Sequence, residues 1–320
     1  MNSSSSILTQ MDVTGLPFSQ LKELFKSDCP LFLYVNPVEY HGPHLSLGND
    51  HHLSVGVAKA FFDRVLGPQN PEWRFLESAP IPMGVDPAVG PGSQFTGFED
   101  LVQAVTEAGR RWAKLGCRRM IVSTFHGAPA HNEAIDRAII NWEKAGVLGI
   151  NLMAIVLDRA IEETDEEKEK LLEKVSDPKK RDLARDRMDG DFHAGFFETS
   201  LAMYFAPETV SKDVAEIPAC PKIELTSSQQ KVLRGLERMG LNRKAKEMKL
   251  AFLGLNWMKV KPFPGYSGYP GAANAEVGKE IFERLLPYYE AEESRVFREG
   301  KPRTKPVLGW TTRLTHGLLK

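Results

Sequence analysis

The feature that most constrains the fold is a strand, helix, strand succession in the middle of the chain. "RMIVSTF" at residues 119–125 predicts a buried strand, "NEAIDRAIINWEKAG" at 132–146 a helix, and "INLMAIVL" at 150–157 a second strand. Strands that are apolar along their whole length and joined by helices are typical of a parallel sheet covered on both faces. The sequence therefore predicts an α/β fold with a mostly parallel central sheet.

The flanking segments extend this alternation. "LFLYVN" at 31–36 predicts another buried strand, and the segment 52–67 predicts a helix that ends at Gly67. A longer helix is indicated by apolar residues at spacings of 4, 3, 4 and 3, with Gly116 as its stop. These residues are Leu101, Val105, Ala108, Trp112 and Leu115.

Composition and charge exclude several classes of function. The chain has 320 residues, is 42% hydrophobic, and contains no run of ~18 apolar residues that would span a bilayer. A net charge of −1 offers no electrostatic basis for binding nucleic acid. The first residues lack the pattern of a signal peptide, and three widely separated cysteines suggest reduced thiols. We expect a cytoplasmic protein that acts on a small molecule.

A loop rich in histidine and carboxylate follows the strand at 31–36. In "EYHGPHLSLGND" at 39–50, Glu39 and His41 are two residues apart, so in an extended segment their side chains share one face. Asp50 closes the loop and could bridge two cations together with this pair. The alternatives are a solvated loop pair for Glu39 and His41, and a helix N-cap for Asp50.

Two further segments carry the same kinds of side chain. His126 follows the strand at 119–125 directly, and "HAGFFETS" contains His193 and Glu198. Ligands of open parallel sheets bind beyond the carboxyl ends of the strands, where Glu39, His41 and His126 are expected. Each residue has a simpler explanation: His126 as a cap of the sheet, and Glu198 as a partner of a helix dipole. Together they form a donor set suited to zinc, manganese or iron.

These segments resemble the creatininase family of metal-dependent amidohydrolases. The resemblance rests on "EYHGPHLSLGND", the strand-end "HG" at His126 and "HAGFFETS". Two further stretches support it, "PGSQFTGFEDLV" at 91–102 and "GYSGYPGAANAEVGKEIFERLL" at 265–286. With breaks, the match runs from about residue 31 to 286.

The resemblance implies a three-layer α/β/α sandwich with two divalent metal ions, zinc, manganese or iron. The family's metal ligands correspond here to Glu39, His41, Asp50, His126 and Glu198. The histidine of "HAG", His193, would act in proton transfer. Members of the family hydrolyse carbon–nitrogen bonds and commonly assemble as homo-oligomers, often hexamers.

The chain departs from the family pattern beside the strand-end histidine. "TFHGAPAHN" adds His131, is expected to move Asn132 away from the sheet end, and replaces a Tyr-Glu pair of creatinine-hydrolysing members by Gly127 and Ala128. The tryptophans that close over creatinine in those members have no counterpart beside "MDGDFHAG". We therefore expect an amide substrate other than creatinine. Candidate substrate contacts are Ser93, His131 and Asp191.

The domain organisation is expected to be simple. Residues 1–290 form one domain with a charged insert near 158–190, which is either a solvated helix or a lid over the site. Residues 291–320 form a basic arm that is flexible or contacts another subunit. Two functions remain open: a dinuclear hydrolase of a small amide, and a metal-binding or regulatory protein that has lost turnover.

Overall fold

The computed structural model describes residues 11–310. Within this range, five parallel strands form one sheet in the order β1-β3-β2-β4-β5. They are β1 (Met11–Asp12), β2 (Leu31–Tyr34), β3 (Leu76–Glu77), β4 (Arg119–Ser123) and β5 (Leu148–Asn151). The central strand β2 pairs with β4 in the register Leu31 with Met120 and Tyr34 with Ser123, and β2 is buried at every position. The predicted parallel sheet is confirmed.

Helices cover both faces of this sheet. Within residues 11–310 they are α1 (Phe18–Lys26), α2 (Asn49–Phe61), α3 (Gly67–Gln69), α4 (Phe98–Lys114), α5 (Pro129–Glu143), α6 (Leu152–Glu162), α7 (Asp165–Leu172), α8 (Pro178–Arg187), α9 (Phe196–Phe205), α10 (Ser227–Arg238), α11 (Asn242–Trp257) and α12 (Ala275–Glu293). α4 packs against α5, and α9 packs against α12 and α2. None of the helices in the described range combines the length and apolar character needed to cross a membrane.

The apolar face of α4 that the sequence indicated packs against α5. Trp142 of α5 is completely buried and donates its indole N–H to the carbonyls of Val105 and Thr106 on α4, at 3.2 Å each. A Cβ at Gly109 would lie 2.1 Å from the indole nitrogen, so only glycine allows this approach. α4 ends before Gly116, which has a φ of +103°, as the sequence predicted.

Two predicted boundaries are wrong. The apolar run 150–157 is not one strand, because β5 ends at Asn151, whose side chain accepts a hydrogen bond from the amide of Met153 and starts α6. In a continuously apolar run, polar residues do not recur at the spacing of either a strand or a helix, so the sequence pattern cannot distinguish the two. Gly67 does not end its helix either. It has a helical φ of −63°, and the helix continues through the π-helical segment Phe62–Leu66 to Gln69.

The charged insert consists of the end of α6 together with α7 and α8. Thr164 and Glu167 form a reciprocal capping box at the start of α7, and Arg185 of α8 pairs with Glu169 at 2.6 Å. The inner face of α7 is apolar: Leu171 and Leu172 are each 1% exposed. The insert is therefore solvated on one face and anchored to the domain on the other.

The segment after α12 is packed through the end of the described range. Ser294–Arg298 continues the helix, and Val307 and Leu308 are each 2% exposed. Arg303 is buried and donates to the carboxylate of Asp136 on α5 at 2.6 and 2.9 Å. Buried ionic and apolar contacts thus fix residues 291–310, which does not fit a flexible arm, and contact of this segment with another subunit stays a prediction. Residues 311–320 lie outside the described range.

Replacing Arg303 by alanine is expected to lower the free energy of unfolding by about 3–5 kcal/mol, because the buried carboxylate of Asp136 would lose its principal partner. Lys305 provides the matched control: it is 3.6 Å from the same carboxylate, but its side chain is 57% exposed. Lys305→Ala should therefore cost less than about 1 kcal/mol. Denaturant unfolding of both variants measures the difference. Equal losses would show that burial of Arg303 does not govern its contribution.

Candidate metal centre

The candidate site lies at the carboxyl ends of the neighbouring strands β2 and β4. Glu39 and His41 are on the loop after β2, and His126 is on the loop after β4. Asp50 is in the first turn of α2, and Glu198 is in the first turn of α9. All five residues are buried or nearly so, with exposures of 9% or less. The fold therefore gathers them in a space that excludes bulk water.

Asp50 connects two groups of donor atoms. One group contains Glu39, Asp50 and His126, the other His41, Asp50 and Glu198, and within each the donor atoms lie within 4.8 Å of one another. Oδ1 of Asp50 is 3.1 Å from Nε2 of His41, whereas Oδ2 is 3.7 Å from Nδ1 of His126. One carboxylate thus offers an oxygen to each group, which is the arrangement of a bridging ligand.

Backbone carbonyls orient the two imidazoles. Nδ1 of His41 is 3.0 Å from the carbonyl of Glu39, and Nε2 of His126 is 2.9 Å from the carbonyl of Val85. A carbonyl only accepts, so these ring nitrogens donate and the opposite nitrogens face the carboxylates. Fixing the tautomer through the outer nitrogen is the usual way in which proteins orient a metal-binding histidine.

Two carboxylate oxygens indicate what the centre would hold. Oδ2 of Asp50 is fully buried and accepts no hydrogen bond, and the buried Oε2 of Glu39 has only the imidazole of His126 beside it, with Nδ1 at 2.9 Å. Buried anionic oxygens are costly unless a positive partner satisfies them. Nitrogen and oxygen donors of this kind suit zinc, manganese and iron. The residues present therefore fit divalent cations.

Protons compensate these charges in the metal-free protein. Burial lowers the pKa of His126, but the neighbouring charge of Glu39 prevails and raises it to about 9. Burial likewise opposes protonation of His41, while Asp50 and Glu198 hold its pKa well above the usual range. Because metal ligands must be deprotonated, cation binding would displace protons from both rings.

Two groups hold Glu198 in place. The amide of Ala194 donates to its Oε2 at 2.6 Å, and the side-chain amide of Asn49 donates to its Oε1 at 2.6 Å. Asn49 was not identified from the sequence; its position directly before Asp50 is the only signal that could have pointed to it. The N-cap alternative for Asp50 does not describe the structure, because Gly48 is the N-cap residue and Asp50 lies inside the first turn.

His193 lies over the centre. Its Nε2 is 3.1 Å from the carbonyl of Tyr40, and its Nδ1 is 3.9 Å from Oε1 of Glu39. Its ring stands 4.4 Å from that of His41, centroid to centroid, and burial lowers its pKa. Nδ1 is therefore a free base directed at the centre. Donor atoms of Glu39, His41 and His193 also lie within 4.8 Å of one another, so proton transfer and metal binding both fit this geometry.

The three candidate substrate contacts have internal partners. Ser93 accepts from the amide of Tyr40 at 2.9 Å and donates to the carbonyl of Ala88. His131 is completely buried, 3.1 Å from Thr124 Oγ1, and its ring lies edge to face with that of His126. Asp191 accepts from the amides of Phe196 and Phe197 at the start of α9. These contacts tie the three side chains to the loops around the candidate site. Ser93 and Asp191 remain partly exposed, and contact of the three residues with a substrate stays a prediction.

One expectation about this region is wrong, and one contact was not anticipated. Asn132 is not displaced from the sheet end: it donates to the carbonyl of His126 at 2.9 Å and accepts from Asn151 at 2.9 Å. A tryptophan does reach the site, since the ring of Trp257 is 5.2 Å from that of His193. It comes from the end of α11, which is remote in sequence from "HAGFFETS", and only packing brings it there.

Comparisons with known proteins identify the family. The family model described as creatinine amidohydrolase matches residues 16–291. A crystal structure of creatinine amidohydrolase (creatininase) aligns with a TM-score of 0.58 at 19% identity, covering 90% of this chain and 98% of that one.

Two related structures align in the same way. One, named creatininase Mn, has a TM-score of 0.57 at 18% identity and covers 90% of this chain and 99% of the other. The second, a glutamine variant of creatininase of Zn-Zn type, has a TM-score of 0.58 with the same identity and coverage. No curated protein matches significantly by sequence. The matched family model spans most of the chain, which therefore belongs to the creatininase family.

Proposed function

We propose that this protein is a hydrolase that opens the C–N bond of a small amide, cyclic amide or formamide at a centre of two divalent cations. The observation that carries the proposal is the position of Asp50, which belongs to both donor groups. Glu39 and His126 would complete one cation site, and His41 and Glu198 the other. Zinc, manganese and iron all suit these donors.

The chemistry follows from the placement of these side chains. Divalent cations bound at such a centre supply an ionised water and a Lewis acid for the carbonyl oxygen. His193 is the base in reach: its Nδ1 would take up a proton and return it to the departing nitrogen, while Tyr40 holds Nε2 in place. Burial of the five ligand side chains strengthens every electrostatic interaction there.

The proposal is tested by hydrolysis of a panel of small amides. Protein loaded with Zn²⁺ or Mn²⁺ should hydrolyse at least one cyclic amide or formamide, and chelation should abolish this activity. Restoring the metal should restore it. A protein that holds two cations per chain but hydrolyses nothing in the panel would instead support a metal-binding or regulatory role.

Creatinine should be hydrolysed very weakly or not at all. The turn after His126 offers only small side chains, with Ala128 as the N-cap of α5 and Pro129 as its first residue. Trp257 is 6% exposed and is already packed against His193 and Phe263, which leaves little of its face for a flat ring. Each aromatic contact that is missing costs about 0.5–1.5 kcal/mol, roughly tenfold in binding at the upper end.

Steady-state assays with creatinine and with the best amide of the panel measure this difference on the same metal-loaded preparation. Efficient turnover of creatinine would contradict the prediction. It would also show that the turn at 127–130 does not select the substrate.

A further inference from the structure

The turn that carries His193 has a strained backbone. Ala194 has a φ of +48°, in the left-handed region that residues with a Cβ rarely adopt. Gly195 follows, so the chain places the strain on alanine although glycine is next to it. Such a conformation persists only where the surroundings hold it, and it is concentrated at functional sites.

The peptide groups of Ala194 are held by three contacts. Its amide donates to Oε2 of Glu198 at 2.6 Å. Its carbonyl lies 3.0 Å from Nε2 of His44 and accepts from Oγ1 of Thr199 at 3.2 Å. The left-handed turn thus orients a candidate ligand, Glu198, through its N–H, and it directs the preceding residue, His193, over the centre.

His44 is suited to this task and is not a ligand in either donor group. It is 1% exposed, and burial lowers its pKa to about 4, so the ring is neutral at pH 7. Since a carbonyl only accepts, Nε2 carries the ring proton and donates it to Ala194. His44 also lies 3.1 Å from Thr199 Oγ1, and its ring packs against Tyr266 edge to face. The second histidine of "EYHGPHLSLGND" therefore binds a backbone carbonyl and belongs to neither group of donor atoms.

We propose that His44 is a positioning residue that holds Ala194 in its left-handed conformation and thereby sets the Glu198 carboxylate and the His193 ring. The expected effect on metal binding rests on the proposed two-cation centre. The hydrogen bond from His44 to the carbonyl of Ala194, called the clamp below, is present in the metal-free fold. Its loss should affect the cation site of Glu198 more than the site formed by Glu39 and His126.

Cobalt(II) titration of the full chain, followed by visible absorption, tests this inference. His44→Leu should weaken one of two Co²⁺ affinities by about 10–100-fold, the range typical for loss of a group that orients a ligand, and leave the other nearly unchanged. His44→Gln should recover most of the affinity, because its side-chain amide can donate to the same carbonyl. His52→Gln is the matched control, since the His52 ring packs on His51, with centroids 6.2 Å apart. It should leave both affinities unaltered.

A second measurement does not depend on metal. Hydrogen exchange in the metal-free protein should become faster in residues 192–199 for His44→Leu and stay slow for His44→Gln. Adding Ala194→Gly to His44→Leu should restore part of the lost Co²⁺ affinity, because glycine adopts the left-handed conformation without strain.

Two results would overturn the inference. One is equal weakening of both affinities with a lower melting temperature, which would mean a merely structural role. The other is unchanged exchange in residues 192–199. Failure of the wild-type protein to bind two Co²⁺ ions, with the exchange pattern as expected, would instead reject the proposed centre and leave the clamp in place.

Discussion

Replacing Asp50 by asparagine is expected to remove both cations from the protein. The wild-type chain should carry about two transition-metal ions, because Asp50 offers one oxygen to each donor group. Asparagine keeps the size of the side chain but loses its charge and presents a single oxygen. Without a bridging carboxylate, one group retains only two of its three donors, and the third donor of the other group is at best a neutral amide oxygen. Hydrolytic activity should fall with the metal content.

Elemental analysis of the purified variants measures the stoichiometry. Asp63→Asn is the matched control, since Asp63 is an exposed carboxylate of the π-helical segment that continues α2. This variant should retain about two ions per chain. An Asp50→Asn protein with unchanged metal content would reduce Asp50 to an acidic residue favourable to the helix dipole.

Replacing His193 by alanine should lower kcat by about 10²–10⁴-fold while the protein keeps its metal. Its Nδ1 is directed at Glu39 and its Nε2 is held by the carbonyl of Tyr40, the arrangement of a fixed base. His126→Ala is the comparison. It removes a donor with a buried carboxylate partner at 2.9 Å, so it should deplete the metal itself.

Metal analysis and kinetics on the same preparations separate the two histidines. Partial recovery of His193→Ala activity by added imidazole would support a role in proton transfer. Equal metal depletion in both variants would show that His193 is a ligand, which its place in the set with Glu39 and His41 allows.

The sequence alone determined the elements whose signals are local. The apolar run at β2 and the stripe on α4 predict their own secondary structure, because each periodicity is read within a few neighbouring residues. Gly116 likewise ends α4 through its own backbone freedom. The metal-site candidates follow from short motifs, since Glu39, His41 and Asp50 lie on one loop and its adjoining helix turn.

Tertiary structure decided which polar groups meet over long distances in the chain. Asn49 reaches Glu198 across 149 positions, and Arg303 reaches Asp136 across 167. Trp257 contacts His193 only because α11 packs there. No local sequence pattern predicts these contacts. Each depends on how separate elements pack and on which buried polar or charged groups require a partner.

The same reason explains the errors. The run that begins at residue 150 was assigned to a strand because burial on all sides erases the periodicity that would have shown a helix from Leu152 onward. For Asp191, the sequence shows the charge but not the two backbone amides that donate to its carboxylate, and its contact with a substrate stays a prediction. The sequence identifies the residue types of the site. Their roles depend on the hydrogen-bond and ionic partners that tertiary packing brings next to them.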